Sequence, residues 1–216
     1  MRTALFTGFP GSGKTTLLLS LVSHLKDRTD PGAARVILTE NGDPGTDERL
    51  MAESPFGIAD LTRGCVGCAS LAGSVFYLIE ESRREDPPPV LLVEASCLAG
   101  KTLRTMFRDS FPGEDPPLSV LVVDPDSWDE RFRESPGIAT DMAKEADFVL
   151  LNFRVRPGSA AAASDRFPAE PGIASELRKL NPRATIARAD VLGNPEGIWT
   201  LLGPSLAPPG LFRNAV

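Results

Sequence analysis

The residues best suited to chemistry lie close together near the start, in the run Gly8-Phe9-Pro10-Gly11-Ser12-Gly13-Lys14-Thr15-Thr16. The run satisfies G-x-x-x-x-G-K-[ST], the phosphate-cradling P-loop pattern. Glycines at Gly8, Gly11 and Gly13 let main-chain N–H groups turn inward on a phosphate, and Ser12, Thr15 and Thr16 add N–H and hydroxyl groups at the start of a helix. Lys14 would reach the β- and γ-phosphates, and the Thr15 hydroxyl would ligate Mg²⁺. The flanks agree with this reading. Residues 3–7 are short and apolar like a buried parallel strand, and residues 16–25 carry the broad apolar face of a helix. Strand, loop and helix therefore follow in the required order, and the chain is expected to bind a nucleoside triphosphate.

Three further groups could act beside that loop. The apolar run Val90-Leu91-Leu92-Val93 ends in Glu94. An acid at the end of a strand near a P-loop resembles a Walker B element, whose carboxylate orients Mg²⁺ or the attacking water. The turn-rich segment 40–47 follows the strand over 35–39, so it belongs at the carboxyl edge of the sheet, where Asp47 is a candidate to contact Mg²⁺ directly or through water. Cys65 and Cys68, spaced Cys-x-x-Cys, can offer two thiolates to one soft metal ion. Completing a tetrahedral site would need Glu40, Cys97, water, or the same pair from a second subunit. The pair also admits a redox role, although the order of elements around it does not suit a thioredoxin fold, and it admits two inert thiols. Two or three thiolates with a carboxylate suit Zn²⁺, Co²⁺ or Ni²⁺, and a pair meeting its twin across a dimer suits a bridging iron–sulfur cluster.

The chain has 216 residues, 42% hydrophobic and 24% charged, with a net charge of −6. That length suits one α/β domain with a full core. With no basic run and no aromatic-basic interleaving, nucleic acid is not an expected partner, and no apolar run approaches a membrane span. A first strand beginning almost at Met1 leaves no room for a leader, and three cysteines make no disulfide framework; a cytoplasmic location is the expectation. Alternating patterns predict strands over 3–7, 35–39, 56–61, 90–94, 118–124, 147–151 and 184–187, and helices over 16–25, 69–84, 101–109, 138–145, 173–180 and 196–202. The fold expected is α/β: a doubly wound, mainly parallel sheet of the P-loop NTPase type in three layers. One nucleotide-binding domain would occupy 1–203, with a proline-rich, extended or disordered tail over 204–216.

In this order the motifs resemble the CobW/HypB/UreG family of P-loop GTPases, most closely the CobW branch. The P-loop looks like that branch's GFxGSGKTT. Thr39-Glu40-Asn41-Gly42 with Asp47 stands where the family has N-E-F-G and a downstream Asp. Gly64-Cys65-Val66-Gly67-Cys68 stands at G-C-x-C-C, and Glu94-Ala95-Ser96-Cys97-Leu98-Ala99 at E-T-S-G-L-A. Ala146 to Asn152 looks like A-D-x-x-L-L-N, and Leu180-Asn181-Pro182-Arg183-Ala184 like L-N-P-x-A.

The resemblance implies a GTP-hydrolysing metallochaperone or metallocentre-assembly factor, working as a homodimer and passing metal to a client metalloenzyme. It would place Thr15 and Asp47 near Mg²⁺, Glu94 at the γ-phosphate end, the cargo on Cys65 and Cys68, and Asn152 in the base-reading motif. The chain departs from the family where N-K-x-D becomes Asn152-Phe153-Arg154-Val155, because Val155 cannot accept hydrogen bonds from guanine N1 and N2. Asp190 or a backbone carbonyl would then have to read guanine, or ATP would serve as well as GTP. Gly67 replaces the middle thiol of G-C-x-C-C, Cys97 replaces a glycine, and within these 216 residues no counterpart of the branch's C-terminal domain or histidine-rich store is expected. His24 reads as a helix-face residue. Two other functions fit the same loop: a nucleotide-dependent switch without hydrolysis, and a small-molecule kinase with Arg104, Arg108, Arg131 or Arg133 on a lid.

Overall fold

A computed structural model describes residues 1–25, 33–39, 58–60, 68–84, 87–153, 170–189 and 195–206. In chain order these form β1 (Arg2–Thr7), α1 (Lys14–Leu25), β2 (Ala34–Leu38), β3 (Ile58–Asp60), α2 (Cys68–Arg84), β4 (Val90–Glu94), α3 (Gly100–Ser110), β5 (Leu118–Val123), α4 (Trp128–Glu134), α5 (Pro136–Glu145), β6 (Phe148–Asn152), α6 (Glu170–Leu180), β7 (Thr185–Ala189) and α7 (Pro195–Leu206). The strands make one sheet in the order β3-β2-β4-β1-β5-β6-β7. All six pairings are parallel. The chain starts in the middle of the sheet, winds out to one side and then to the other. Its reversal point therefore lies at β1, which puts the loop after β1 in the crevice where open α/β sheets bind ligands.

Alternation along each strand divides the core into two faces. Phe6, Leu38, Leu92, Val122 and Leu150 face α1 and α7, which contribute Leu17, Leu21, Trp199 and Leu202. On the other face, Leu5, Ile37, Leu91 and Val93 pack on α2 and α3. Beside them Leu121, Val123, Val149 and Leu151 pack on α4, α5 and α6. Helices on both faces of a parallel sheet give the expected three layers.

Two elements differ from the sequence expectation. Residues 128–134, which the sequence reading left without an element, form α4: Trp128 and Phe132, one helical turn apart, meet at 6.1 Å, and the buried Trp128 also makes a tilted ring contact at 6.1 Å with Phe9 of the P-loop. Helix α7 runs through Pro204 to Leu206, so the expected boundary at 203 falls inside a helix. Leu206 is buried in the same cluster as Leu202, and that burial outweighs the hydrogen bond lost at the proline.

The L-N-P-x-A segment also has a physical role. The Asn181 side chain donates to the carbonyls of Ala143, Lys144 and Ala146 and accepts from the N–H groups of Arg183 and Ala184. One amide thus closes the C-terminus of α5 and the turn into β7.

Candidate nucleotide site

The loop between β1 and α1 is built around close approaches that side chains would block. At Gly8 (φ +155°) a Cβ would meet the Val122 carbonyl oxygen at 2.4 Å, and at Gly13 (φ +92°) it would meet Asn152 Nδ2 at 2.3 Å. Gly11 also takes a positive φ, of 83°. The Ser12 N–H donates to the Phe9 carbonyl at 3.1 Å, and α1 begins with the Leu17 N–H on the Gly13 carbonyl at 2.9 Å. Lys14, 2% exposed, folds back over the loop and donates to the carbonyls of Gly8 (3.1 Å) and Phe9 (3.2 Å). Thr16, half-buried, is the third residue of the helix, in its first turn.

Glu94 joins three elements. Its carboxylate is fully buried at the carboxyl end of β4, directly beside β1. Oε1 accepts from the Thr15 hydroxyl at 2.7 Å, and Oε2 accepts from the Thr39 N–H at 3.2 Å. The structure thus brings together Thr15 and Glu94, read separately from the sequence, and adds Thr39, which the sequence reading placed in a motif without giving it a role. The signal was its position: Thr39 follows β2, and β2 pairs with β4, so its amide must lie near the end of β4. Asn152, buried at the end of β6, donates from Nδ2 to the Ser12 carbonyl at 2.8 Å. In this arrangement it tethers the P-loop to the far half of the sheet.

The donor set fits Mg²⁺ and a polyphosphate. A Thr hydroxyl backed by a carboxylate is a hard oxygen pair suited to Mg²⁺. Ser12 Oγ, Thr39 Oγ1 and Ser96 Oγ are buried without a protein hydrogen-bond partner. Ser12 lies in the loop and Thr39 and Ser96 follow the ends of β2 and β4; Thr3 Oγ1, within β1, is likewise unpartnered, and each such hydroxyl is a cost unless a polar group satisfies it.

Other sequence candidates fall elsewhere. Glu40, Asp47, Cys65, Val155 and Asp190 lie outside the described residues, as does the Cys68 side chain at the start of α2. Cys97 lies three residues past Glu94, half-buried against the cluster that contains Phe9, Leu121 and Trp128. Among the described residues no group of three or more His, Cys, Asp or Glu side chains could hold a metal ion. His24 is half-buried in the last turn of α1, consistent with a helix-face residue. Phe153, which stands where the family has lysine, is buried, and the Arg188 guanidinium lies over its ring at 4.6 Å. No described helix is long and apolar enough to cross a membrane.

The chain is 42% identical over 98 residues to the zinc chaperone YeiR of Escherichia coli (strain K12), a match covering 45% of this chain and 28% of YeiR. It is 26% identical over 198 residues to the zinc chaperone YjiA of the same organism, covering 87% of this chain and 58% of YjiA. The chain therefore spans less than two thirds of either relative. Its fold is similar to that of the hydrogenase maturation factor HypB from Archaeoglobus fulgidus, with a TM-score of 0.62 at 16% identity over 95% of this chain and 90% of that one. The model of the CobW/HypB/UreG nucleotide-binding domain matches residues 2–163. The chain belongs to the CobW/HypB/UreG family.

Proposed function

We propose that this chain binds and hydrolyses a nucleoside triphosphate, GTP by preference, and couples that cycle to carrying a metal ion for a client metalloprotein. The observation that carries the nucleotide half is the buried hydrogen bond from Thr15 to Glu94, which joins the P-loop to the acid-ended strand. Main-chain N–H groups of residues 11–16 would cradle the phosphates, and Lys14 would exchange its two loop carbonyls for phosphate oxygens. Thr15 would hold Mg²⁺ with Glu94 behind it, and Asp47 would complete the set. Bound there, the cation would offset charge between the β- and γ-phosphates.

For the metal half, Cys65 and Cys68 are the proposed cargo thiolates, with Glu40 and Cys97 as candidates to complete the set. Zinc is the cargo that the names of the curated relatives favour. A homodimer would let two Cys pairs meet, and the client would receive the metal when the triphosphate is lost. This part rests on the family and on residue types.

Calorimetric titration with GTP and ATP, with and without Mg²⁺, tests the nucleotide reading, and phosphate release tests turnover. Mg²⁺-dependent GTP binding with multiple turnovers is the expected result; binding of neither nucleotide overturns it. A second reading, a slow or non-hydrolysing switch, is favoured by one observation. Both Glu94 oxygens already accept hydrogen bonds, which suits a carboxylate that positions other groups better than one that takes a proton from water. Single-turnover phosphate release separates the two.

A further inference from the structure

Thr39 is over nine-tenths buried, and its hydroxyl has no protein hydrogen-bond partner. Its N–H, by contrast, is engaged with Glu94 Oε2 at 3.2 Å. Bond lengths keep the orphan Oγ1 within about 4 Å of that nitrogen, and hence within about 7 Å of the carboxylate that also accepts from Thr15. A valine would fill this position with the same shape, the same β-branching and the same N–H, and without a stranded hydroxyl. The hydroxyl therefore costs stability in the ligand-free protein. Such a cost is expected where a side chain serves a ligand.

We infer that Thr39 is a further positioning and binding residue of the nucleotide site: its N–H locks Glu94, and its hydroxyl donates to an oxygen that arrives with the Mg²⁺–nucleotide. The inference rests on the nucleotide reading above and names a residue that reading does not use. The oxygen has two sources, a water on the cation or the terminal phosphate, and both present lone pairs to a hydroxyl donor. Thr39 thereby ties the end of β2 to ligand state. Glu40, a candidate cargo ligand, is the next residue in the chain.

The test is Thr39→Val, with Thr39→Ser as the conservative control, in the full chain. Binding is measured by calorimetry for a non-hydrolysable analogue of the preferred triphosphate with Mg²⁺, for the diphosphate with Mg²⁺, and for the triphosphate analogue with a chelator. Thr39→Val is expected to weaken Mg²⁺–triphosphate binding about tenfold, the effect of one charge-assisted hydrogen bond. Loss with both Mg²⁺ complexes and none with the chelator assigns the oxygen to water on the cation. Loss with the triphosphate alone, whether or not Mg²⁺ is present, assigns it to the terminal phosphate. The ligand-free Val variant is expected to melt about 2–4 °C higher, because an unpaired buried hydroxyl is gone. Thr39→Ser is expected to bind like the unaltered chain. Unchanged affinity in all three titrations, equal weakening in all three, or a lower melting temperature overturns the inference. If the unaltered chain binds none of the three, the nucleotide reading has failed, and that is seen before any substitution is made.

Discussion

At the scale of residues, the P-loop is held by contacts that leave little latitude. Gly13 combines a positive φ with a close approach to Asn152. Gly13→Ala is expected to push the loop off its Asn152 tether and weaken nucleotide binding more than about tenfold while the sheet stays folded, since the strain is local. Calorimetry beside circular dichroism checks both parts, and unchanged affinity would remove Gly13 from the site. Glu94→Gln offers one carbonyl acceptor where two donors, from Thr15 and Thr39, now converge on a carboxylate. The expected outcome is a loss of about 1.5–3 kcal/mol in the Mg²⁺-dependent part of nucleotide affinity, with the Mg²⁺-independent part unchanged. Titrations with and without a chelator read the two parts separately.

At the scale of elements, two side-chain anchors fix helices through residues that are not among the proposed ligand contacts. The Trp199 indole N–H donates to the Leu21 carbonyl at 3.0 Å, pinning α7 to α1. Trp199→Phe keeps the ring and removes the donor, and the expected destabilisation is about 1 kcal/mol in urea unfolding. Asn181→Ala strips three carbonyls at the end of α5 and two N–H groups in the following turn of their partner. About 2–3 kcal/mol is expected to be lost there, with nucleotide affinity unchanged. A loss of binding with Asn181→Ala would mean that the α5–β7 turn bears on the site.

At the scale of the whole molecule, the proposed function requires two ligands to know of each other. If the triphosphate changes zinc affinity by some factor, zinc must change triphosphate affinity by the same factor. Zinc titrations on the triphosphate-analogue and diphosphate forms, and the reciprocal pair, are expected to give matching ratios of about fivefold or more. Cys65→Ser with Cys68→Ser is expected to abolish both zinc binding and the linkage while leaving nucleotide binding intact. Equal zinc affinity in both nucleotide states would leave a nucleotide-binding domain without the proposed coupling.

What could be read from the sequence was what neighbouring residues decide among themselves. The P-loop needs a strand, a glycine turn and a helix in succession, so residues 2–25 announce it without help from the rest of the chain. The apolar strands and the acid ending β4 were legible for the same reason, since burial on both faces of a parallel sheet leaves continuous apolar runs. Helix α4 was not legible, because its apolar pair, Trp128 and Phe132, spans only one turn, and the burial of Trp128 against Phe9 is decided by distant chain. The end of α7 was misread because Pro204 signals a stop locally, while burial of Leu206 is decided by α1 and the sheet. The site itself divides the same way. Its residue types stand in the sequence, but their meeting does not: Thr15 and Glu94 are separated by 79 residues, Thr39 and Glu94 by 55, and Ser12 and Asn152 by 140. Only the strand order, with β4 between β2 and β1, puts one carboxylate within reach of both threonines. Local pattern selects the elements, and non-local register decides which of their ends share a site.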